Sequence, residues 1–180
     1  MSTLDGKKIA FISVRGVEQP ELTEPWQAVQ EAGGQPVLIS DKPGTITALK
    51  GDWDRGDDFP VDLTLDDADP DDFDALVLPG GTLNADEVRQ LEKAQAFVRA
   101  FMEAGKPVAP ICHGAWVLVE IDAVRGRRMT STGAISTDLK NAGADWVDEE
   151  FVRDGNLLTS RNPDDLPAFN EGIVKAFAEA

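Results

Sequence analysis

Cys112 and His113 stand side by side in the stretch GKPVAPICHGAWVLVE (105–120), and the 180-residue chain has no other cysteine and no other histidine. A thiol beside an imidazole can supply a nucleophile and the base that takes its proton. The apolar run PVAPI (107–111) reads as a buried strand leading into the pair, and Gly114 follows it. A strand that turns sharply into a helix lifts the turn residue into the crevice above the sheet, which is the geometry of a nucleophile elbow. Helix-start amides at such a place favour the thiolate and lower the thiol pKa. A second strand, DALVLPGG (74–81), ends in a double glycine. The backbone amides of Gly80 and Gly81, with those of the turn around Gly114, are candidates to cradle a developing oxyanion. Adjacent side chains at a tight turn meet only if the turn is strained, and the imidazole then needs a carboxylate to orient it. The bland alternative is a small buried residue followed by a polar helix-start group. The strand-end setting and the double glycine favour chemistry.

Two acidic residues stand where such a carboxyl group is wanted. Glu21, in RGVEQPEL, lies just beyond the first strand and can share a proton with the thiol. Asp86 opens the helix after GGTLNA. Each also fits an acidic residue in a first helical turn, favoured there by the helix dipole. Glu18 and Glu87 are the nearest competitors for these two places.

These residues need elements to position them. KIAFIS (8–13) and PVLIS (36–40) read as buried strands around a helix, ELTEPWQAVQEAGG (21–34), with Leu22, Trp26 and Val29 on one face. Pro25 is compatible with that helix only near its start. Strand–helix–strand is the unit of a parallel sheet. The Gly-, Asp- and Pro-rich segment 41–72 suggests a hairpin or edge strands at TITAL and VDLTL. Residues 85–104 predict one long helix, with Val88, Leu91, Gln95, Val98 and Met102 near one line. A helix from AWVLVEI, a short strand after RGRR, a helix near 135–142, strands at 151–153 and 157–159 and a last helix over 163–178 follow. The alternation predicts one domain over 1–180, a three-layer α/β sandwich with a mainly parallel, flavodoxin-like sheet and helices on both faces.

Composition removes several function classes. Thirty-three acidic against 17 basic residues give a net charge of −16, the wrong sign for a nucleic-acid surface. RGRR (125–128) is the only basic cluster and reads as a solvated turn. No apolar stretch approaches the roughly 20 residues that cross a bilayer, and the N-terminal apolar run is too short for a signal peptide, so a cytoplasmic protein with no membrane contact is expected. One cysteine and one histidine cannot build a closed zinc site, and DADPDDFD lacks the calcium-loop pattern. Neither a metal nor another cofactor is expected.

Several segments, in one order along nearly the whole chain, then carry a resemblance: GVEQPEL, FDALVLPGG, GKPVAPICHG, RGRRMTS, LKNAGADWVDEE and TSRNPDDLPAF. The sequence resembles the PfpI family of intracellular proteases and general stress proteins. That family lies in the class I glutamine amidotransferase-like superfamily, which also holds the parkinsonism-associated deglycase. The resemblance implies a nucleophile at Cys112, its histidine at His113, and a carboxyl group at Glu21 hydrogen-bonded to the sulfur. It further implies that the acid orienting the histidine comes from a neighbouring subunit, at the position that maps onto Asp86, so that a homodimer or higher homo-oligomer completes the site. Many relatives carry proline after CHG, where this chain has Ala115 and Trp116. Trp116 has two open readings, a wall of the substrate pocket or core packing. Tyrosine is absent, so any tyrosine near the site in relatives has no counterpart.

Three functions fit. The first is a cysteine-dependent enzyme acting on glyoxal or methylglyoxal, or on their adducts with amines or nucleotides. The second is an intracellular cysteine peptidase. The third is a non-enzymatic redox sensor or chaperone-like stress protein. A glycine-cradled thiolate suits a small carbonyl and ranks the first ahead.

Overall fold

The computed structural model describes residues 3–180. Strands β1 (Lys8–Ile12), β2 (Gln35–Ser40), β5 (Leu63–Thr64), β6 (Ala75–Leu78), β7 (Val108–Pro110), β10 (Val152–Asp154) and β11 (Leu157–Thr159) form one seven-stranded sheet in the order β10-β11-β7-β6-β1-β2-β5. Every neighbouring pair is parallel except β10 with β11. The central strands are buried along nearly their whole length, as a parallel sheet covered on both faces requires.

The two faces are read off alternate residues of β1. Ile9 and Phe11 point into one apolar layer with Leu22 and Val29 of helix α1 (Gln19–Glu31) and Phe169, Ile173 and Phe177 of α6 (Leu166–Glu179). Ala10 and Ile12 point into the other, with Phe97, Val98, Phe101 and Leu118. That second layer is built by α2 (Thr82–Gln90), α3 (Glu92–Ala104), α4 (Trp116–Glu120) and α5 (Ser136–Asn141). Period-two alternation in the strands thus separates the two helical layers, and the fold is the expected flavodoxin-like sandwich.

Three local expectations change. The helix expected over 85–104 is two helices, because Leu91 takes an extended backbone (φ −80°, ψ 109°) between them. Its N–H bonds back to Val88 O while its own carbonyl accepts from Gln95, so one residue ends α2 and starts α3. The buried stripe of α3 is accordingly Ala94, Phe97, Val98 and Phe101. The hairpin also has an unforeseen partner. Strand β3 (Thr45–Lys50) contains TITAL and pairs antiparallel with the acidic β4 (Asp54–Pro60), while VDLTL supplies the edge strand β5. Polar contacts hold that acidic strand: Thr47 Oγ1 donates to Asp58 Oδ1 at 2.5 Å, and the side chain of Gln19 bonds both the amide and the carboxylate of Asp57 at 2.8 Å. Finally, α1 begins at Gln19, so Pro25 lies well inside it. Proline has no N–H to offer, which leaves the carbonyl of Glu21 without its helical donor.

A two-stranded parallel ribbon, β8 (Arg128–Met129) with β9 (Asp145–Trp146), lies beside the main sheet. The arginines of RGRR are spread over carboxylates: Arg125 pairs with Asp122, Arg127 with Asp154, and Arg128 with Asp145 and Glu149. Among the described residues no helix is long and apolar enough to cross a membrane.

Candidate active site

The site is built where β7 ends. Ile111 is still extended, and the next residue, Cys112, has φ +59°. A residue with a Cβ pays roughly 1 kcal/mol or more for that conformation. The surrounding chain holds it there: Cys112 N–H donates to Ser160 O at 3.0 Å, and Cys112 O accepts from Thr132 N–H at 3.3 Å. The reversed backbone brings neighbouring side chains together. Cys112 Sγ lies 3.3 Å from Nδ1 of His113. The backbone therefore carries the strain on which such a contact between adjacent side chains depends.

The double-glycine turn presses on the cysteine from β6. A Cβ on Gly80 would stand 2.7 Å from Cys112 Cβ and 2.3 Å from Glu21 Oε1. A Cβ on Gly114 would stand 2.2 Å from the carbonyl oxygen of Leu78. These glycines are contact points where any side chain would collide. Asn84, fully buried in α2, fixes the turn: it accepts from Val14 N–H at 2.7 Å and donates to the carbonyls of Pro79 and Gly80 at 3.1 and 2.9 Å.

The amides are assigned by this packing. Gly80 N–H donates to Glu21 Oε1 at 3.0 Å, and Gly114 N–H donates to Ile111 O at 2.9 Å. Both are already engaged within the chain. The N–H groups of His113 and Gly81 instead act on the Cys112 sulfur, favouring its charged form.

Electrostatics follow from burial. Glu21 is fully buried. Desolvation, and then the charge of Glu18, push its pKa up to about 8, with the Gly80 amide and the Cys112 thiol opposing. Glu21 is therefore a neutral acid at neutral pH, with a proton to share. Burial also pushes the Cys112 thiol up, and a charged Glu21 adds to this; the His113 and Gly81 amides oppose. This reverses the expected lowering of the thiol pKa. The turn at 112–115 is a short 3-10 segment followed by a five-residue helix, too little aligned backbone to offset desolvation. A protonated Glu21 removes the anionic part of the penalty. His113 is held below the usual imidazole range by burial, with Asp52 pulling the other way.

Trp116 stands edge-on to the imidazole, ring centres 5.2 Å apart at 66°. The guanidinium of Arg89 lies 4.9 Å over the indole, and Trp116 Nε1–H donates to Asp138 Oδ2 at 3.0 Å. Of the two open readings of Trp116, packing against the core is met, and the same indole lies against the histidine. Asp86 is exposed on α2, its carboxylate 3.5 Å from Gln90 Nε2; within this chain it is not brought to His113. Glu87 pairs with Arg15. Glu18 is buried and accepts from Gly51 and Asp52 N–H, each at 2.8 Å. Asp52 and Thr82 were not legible as site residues, yet they lie next to the imidazole: Asp52 accepts from Thr82 N–H and Oγ1–H at 2.9 and 2.8 Å, and Thr82 Oγ1 is 3.4 Å from His113 Nε2. Among the described residues no group of three or more His, Cys, Asp or Glu side chains is arranged to hold a metal ion.

The family model for the DJ-1/PfpI family matches residues 7–176. The chain belongs to the DJ-1/PfpI family. It is 44% identical over 169 residues to a deglycase of Thermococcus kodakarensis, covering 93% of this chain and 98% of that one. It is 42% identical over 167 residues to general stress protein 18 of Bacillus subtilis, covering 92% and 94%. Among solved structures, the crystal structure of Drosophila melanogaster DJ-1beta superposes with a TM-score of 0.88 at 25% identity, covering 97% of this chain and 91% of that one. This DJ-1/PfpI chain therefore shares both its sequence family and its sandwich with these proteins.

Proposed function

We propose that this DJ-1/PfpI protein is a stress-protective cytoplasmic enzyme that uses Cys112 against glyoxal or methylglyoxal, or against the adducts these aldehydes form with amines. One observation carries the reading: the single thiol stands 3.3 Å from the single imidazole at a strained turn, beside a buried carboxyl that keeps its proton. The names of the relatives, a deglycase and a general stress protein, point the same way.

The chemistry runs within these groups. Nδ1 of His113 takes the thiol proton as the sulfur adds to the aldehyde carbon, and the C=O electron pair becomes an oxyanion. The Gly81 and His113 amides that face the sulfur are placed to receive that charge. Glu21 gives its proton to the oxyanion, forming a hemithioacetal. The resulting carboxylate then removes the C–H proton beside sulfur while the His113 imidazolium gives its proton to the adjacent carbonyl oxygen, and the enediol becomes a thioester as Glu21 protonates that adjacent carbon and takes back the proton of the hydroxyl beside sulfur. Water releases the hydroxy acid and restores the thiol, with no external oxidant. An amine adduct joins this path when its C–N bond breaks, the amine leaves with a proton from His113, and the sulfur takes its place.

A small electrophile suits the site better than a polypeptide. Cys112 is 8% exposed. Two open cavities, one of about 590 Å³ between α1 and β4 (Trp26, Phe59) and one of about 630 Å³ between α1 and α6 (Ala28, Lys175), lie away from the thiol. On this reading a homo-oligomer brings Asp86 of the partner subunit toward His113. The test is to give purified protein methylglyoxal: lactate forms, and Cys112→Ala abolishes it. Cleavage of casein or a fluorogenic peptide with no aldehyde turnover would overturn the reading in favour of a peptidase. Equal turnover by Cys112→Ala would remove the sulfur from the mechanism.

A further inference from the structure

The tip of the β3–β4 hairpin reaches the start of α2, whose first residue stands beside the imidazole. Asp52 has φ +59°, a left-handed conformation that aspartate tolerates better than most residues. Glu18, 7% exposed, holds it there by accepting from both Gly51 and Asp52 N–H. The Asp52 carboxylate then clamps the first residue of α2, accepting from the amide of Thr82 at 2.9 Å and from its hydroxyl at 2.8 Å. The same hydroxyl oxygen stands 3.4 Å from His113 Nε2.

Proton counting decides what this array does. A threonine hydroxyl has one hydrogen, and an ionised carboxylate can only accept. With that hydrogen committed to Asp52 Oδ2, Thr82 Oγ1 can meet Nε2 only as an acceptor. Nε2 must then carry the imidazole proton, which leaves Nδ1 bare and facing the Cys112 thiol. We propose that Asp52, acting through Thr82, is a positioning residue that fixes the His113 tautomer so that Nδ1 is free to take the Cys112 proton. The relay lies within one chain, so each subunit holds it before any partner docks. Asp52 also faces the imidazolium that forms when the thiol gives up its proton. Within the chain, the other charged or titratable groups around the ring are Cys112 on its own turn, Glu21 from α1 beside the sulfur, and Arg89 beyond Trp116; in the proposed assembly the partner subunit's Asp86 joins them. The direction of the field agrees, since Asp52 raises the His113 pKa against burial.

The inference rests on the reading of His113 as the base, and its test is independent of turnover. The chain has one histidine, so nitrogen-15 histidine labelling gives one imidazole whose two nitrogens report the tautomer directly. The native protein, above its imidazole pKa, should show the Nε2–H form. Asp52→Asn, which asparagine's tolerance of left-handed backbone should leave folded, and Thr82→Val should both mix the tautomers and move the imidazole titration to lower pH. They should also slow iodoacetamide alkylation of Cys112 and lower kcat about tenfold with KM little changed. Thr82→Ser should restore native values. An Nδ1–H tautomer in the native protein, or unchanged tautomer and titration in both variants, would overturn the proposal. If no aldehyde is turned over but the tautomer behaves as stated, the relay stands and the functional reading falls.

Discussion

Glu21 and Gly80 meet through a 3.0 Å hydrogen bond in which the glycine amide donates to the carboxyl oxygen Oε1, while Oε2 is buried without a hydrogen-bond partner among the described residues. A buried carboxyl with one oxygen held and the other unpartnered, close to the thiol, is set up as a proton store, and its raised pKa makes it measurable.

Its titration should appear in the stability of the fold. The Glu21 pKa rises from 4.5 to about 8 on folding, so between those values the folded chain holds a proton that the unfolded chain has lost. This contribution is fully present below the unfolded pKa and drains away as pH rises through the folded one, by at most about 1.4 kcal/mol per pH unit. Glu21→Gln has no charge to bury. Urea unfolding across the range should show the variant gaining on its parent as pH rises, with a flat difference curve ruling the assignment out.

The two site glycines should fail differently. Gly114→Ala drives a methyl against the Leu78 backbone oxygen, which cannot move aside. A loss of about 1–3 kcal/mol in the free energy of urea unfolding is expected. Gly80→Ala pushes instead on the Glu21 carboxyl and Cys112 Cβ. Its deficit should be larger in thiol alkylation rate than in stability. Equal mild effects in both assays would contradict the packing described.

Trp116→Ala opens one wall around His113. Burial is what lowers the His113 pKa, so exposure should let it climb back toward the ordinary value of 6.5. A proton NMR titration of the lone imidazole follows this directly. Movement in the opposite direction would mean that the indole does not shield the ring.

Assembly should matter to turnover if the partner subunit's Asp86 joins the site. Activity per subunit should then fall on dilution in step with dissociation seen by sedimentation, and Asp86→Asn should lower kcat about tenfold or more while the oligomer persists. Constant specific activity across the dissociation range would confine the machinery to one chain.

The sheet was readable because its strands are short apolar runs bounded by glycine and proline, and KIAFIS, DALVLPGG and PVAPI fall where such runs must. The Cys112–His113 pair was readable as a candidate because its members are adjacent, but their contact depends on the positive φ at Cys112, which the sequence does not show. What escaped depends on distant parts of the chain. Leu91 fits a helical stripe by spacing, and nothing local marks its extended backbone. The hairpin partner escaped because β4 is held by Gln19 and Thr47 side chains and lacks an apolar pattern. Asp52 and Thr82 are thirty positions apart and look like an ordinary turn and helix start; only folding sets them against one imidazole. The direction of the thiol pKa was missed for a related reason: a helix start is visible in sequence, whereas desolvation is a property of the packed site.

The reversed backbone at Cys112 has one more consequence. Ser160 and Thr132 hold the residue there from distant parts of the chain, so the pairing of sulfur with imidazole exists only while those segments are in place. Once the chain loosens, the same two residues revert to a freely solvated mercaptan and a wandering ring. Selectivity toward electrophiles is therefore an attribute of the intact molecule, and damaged copies should react indiscriminately.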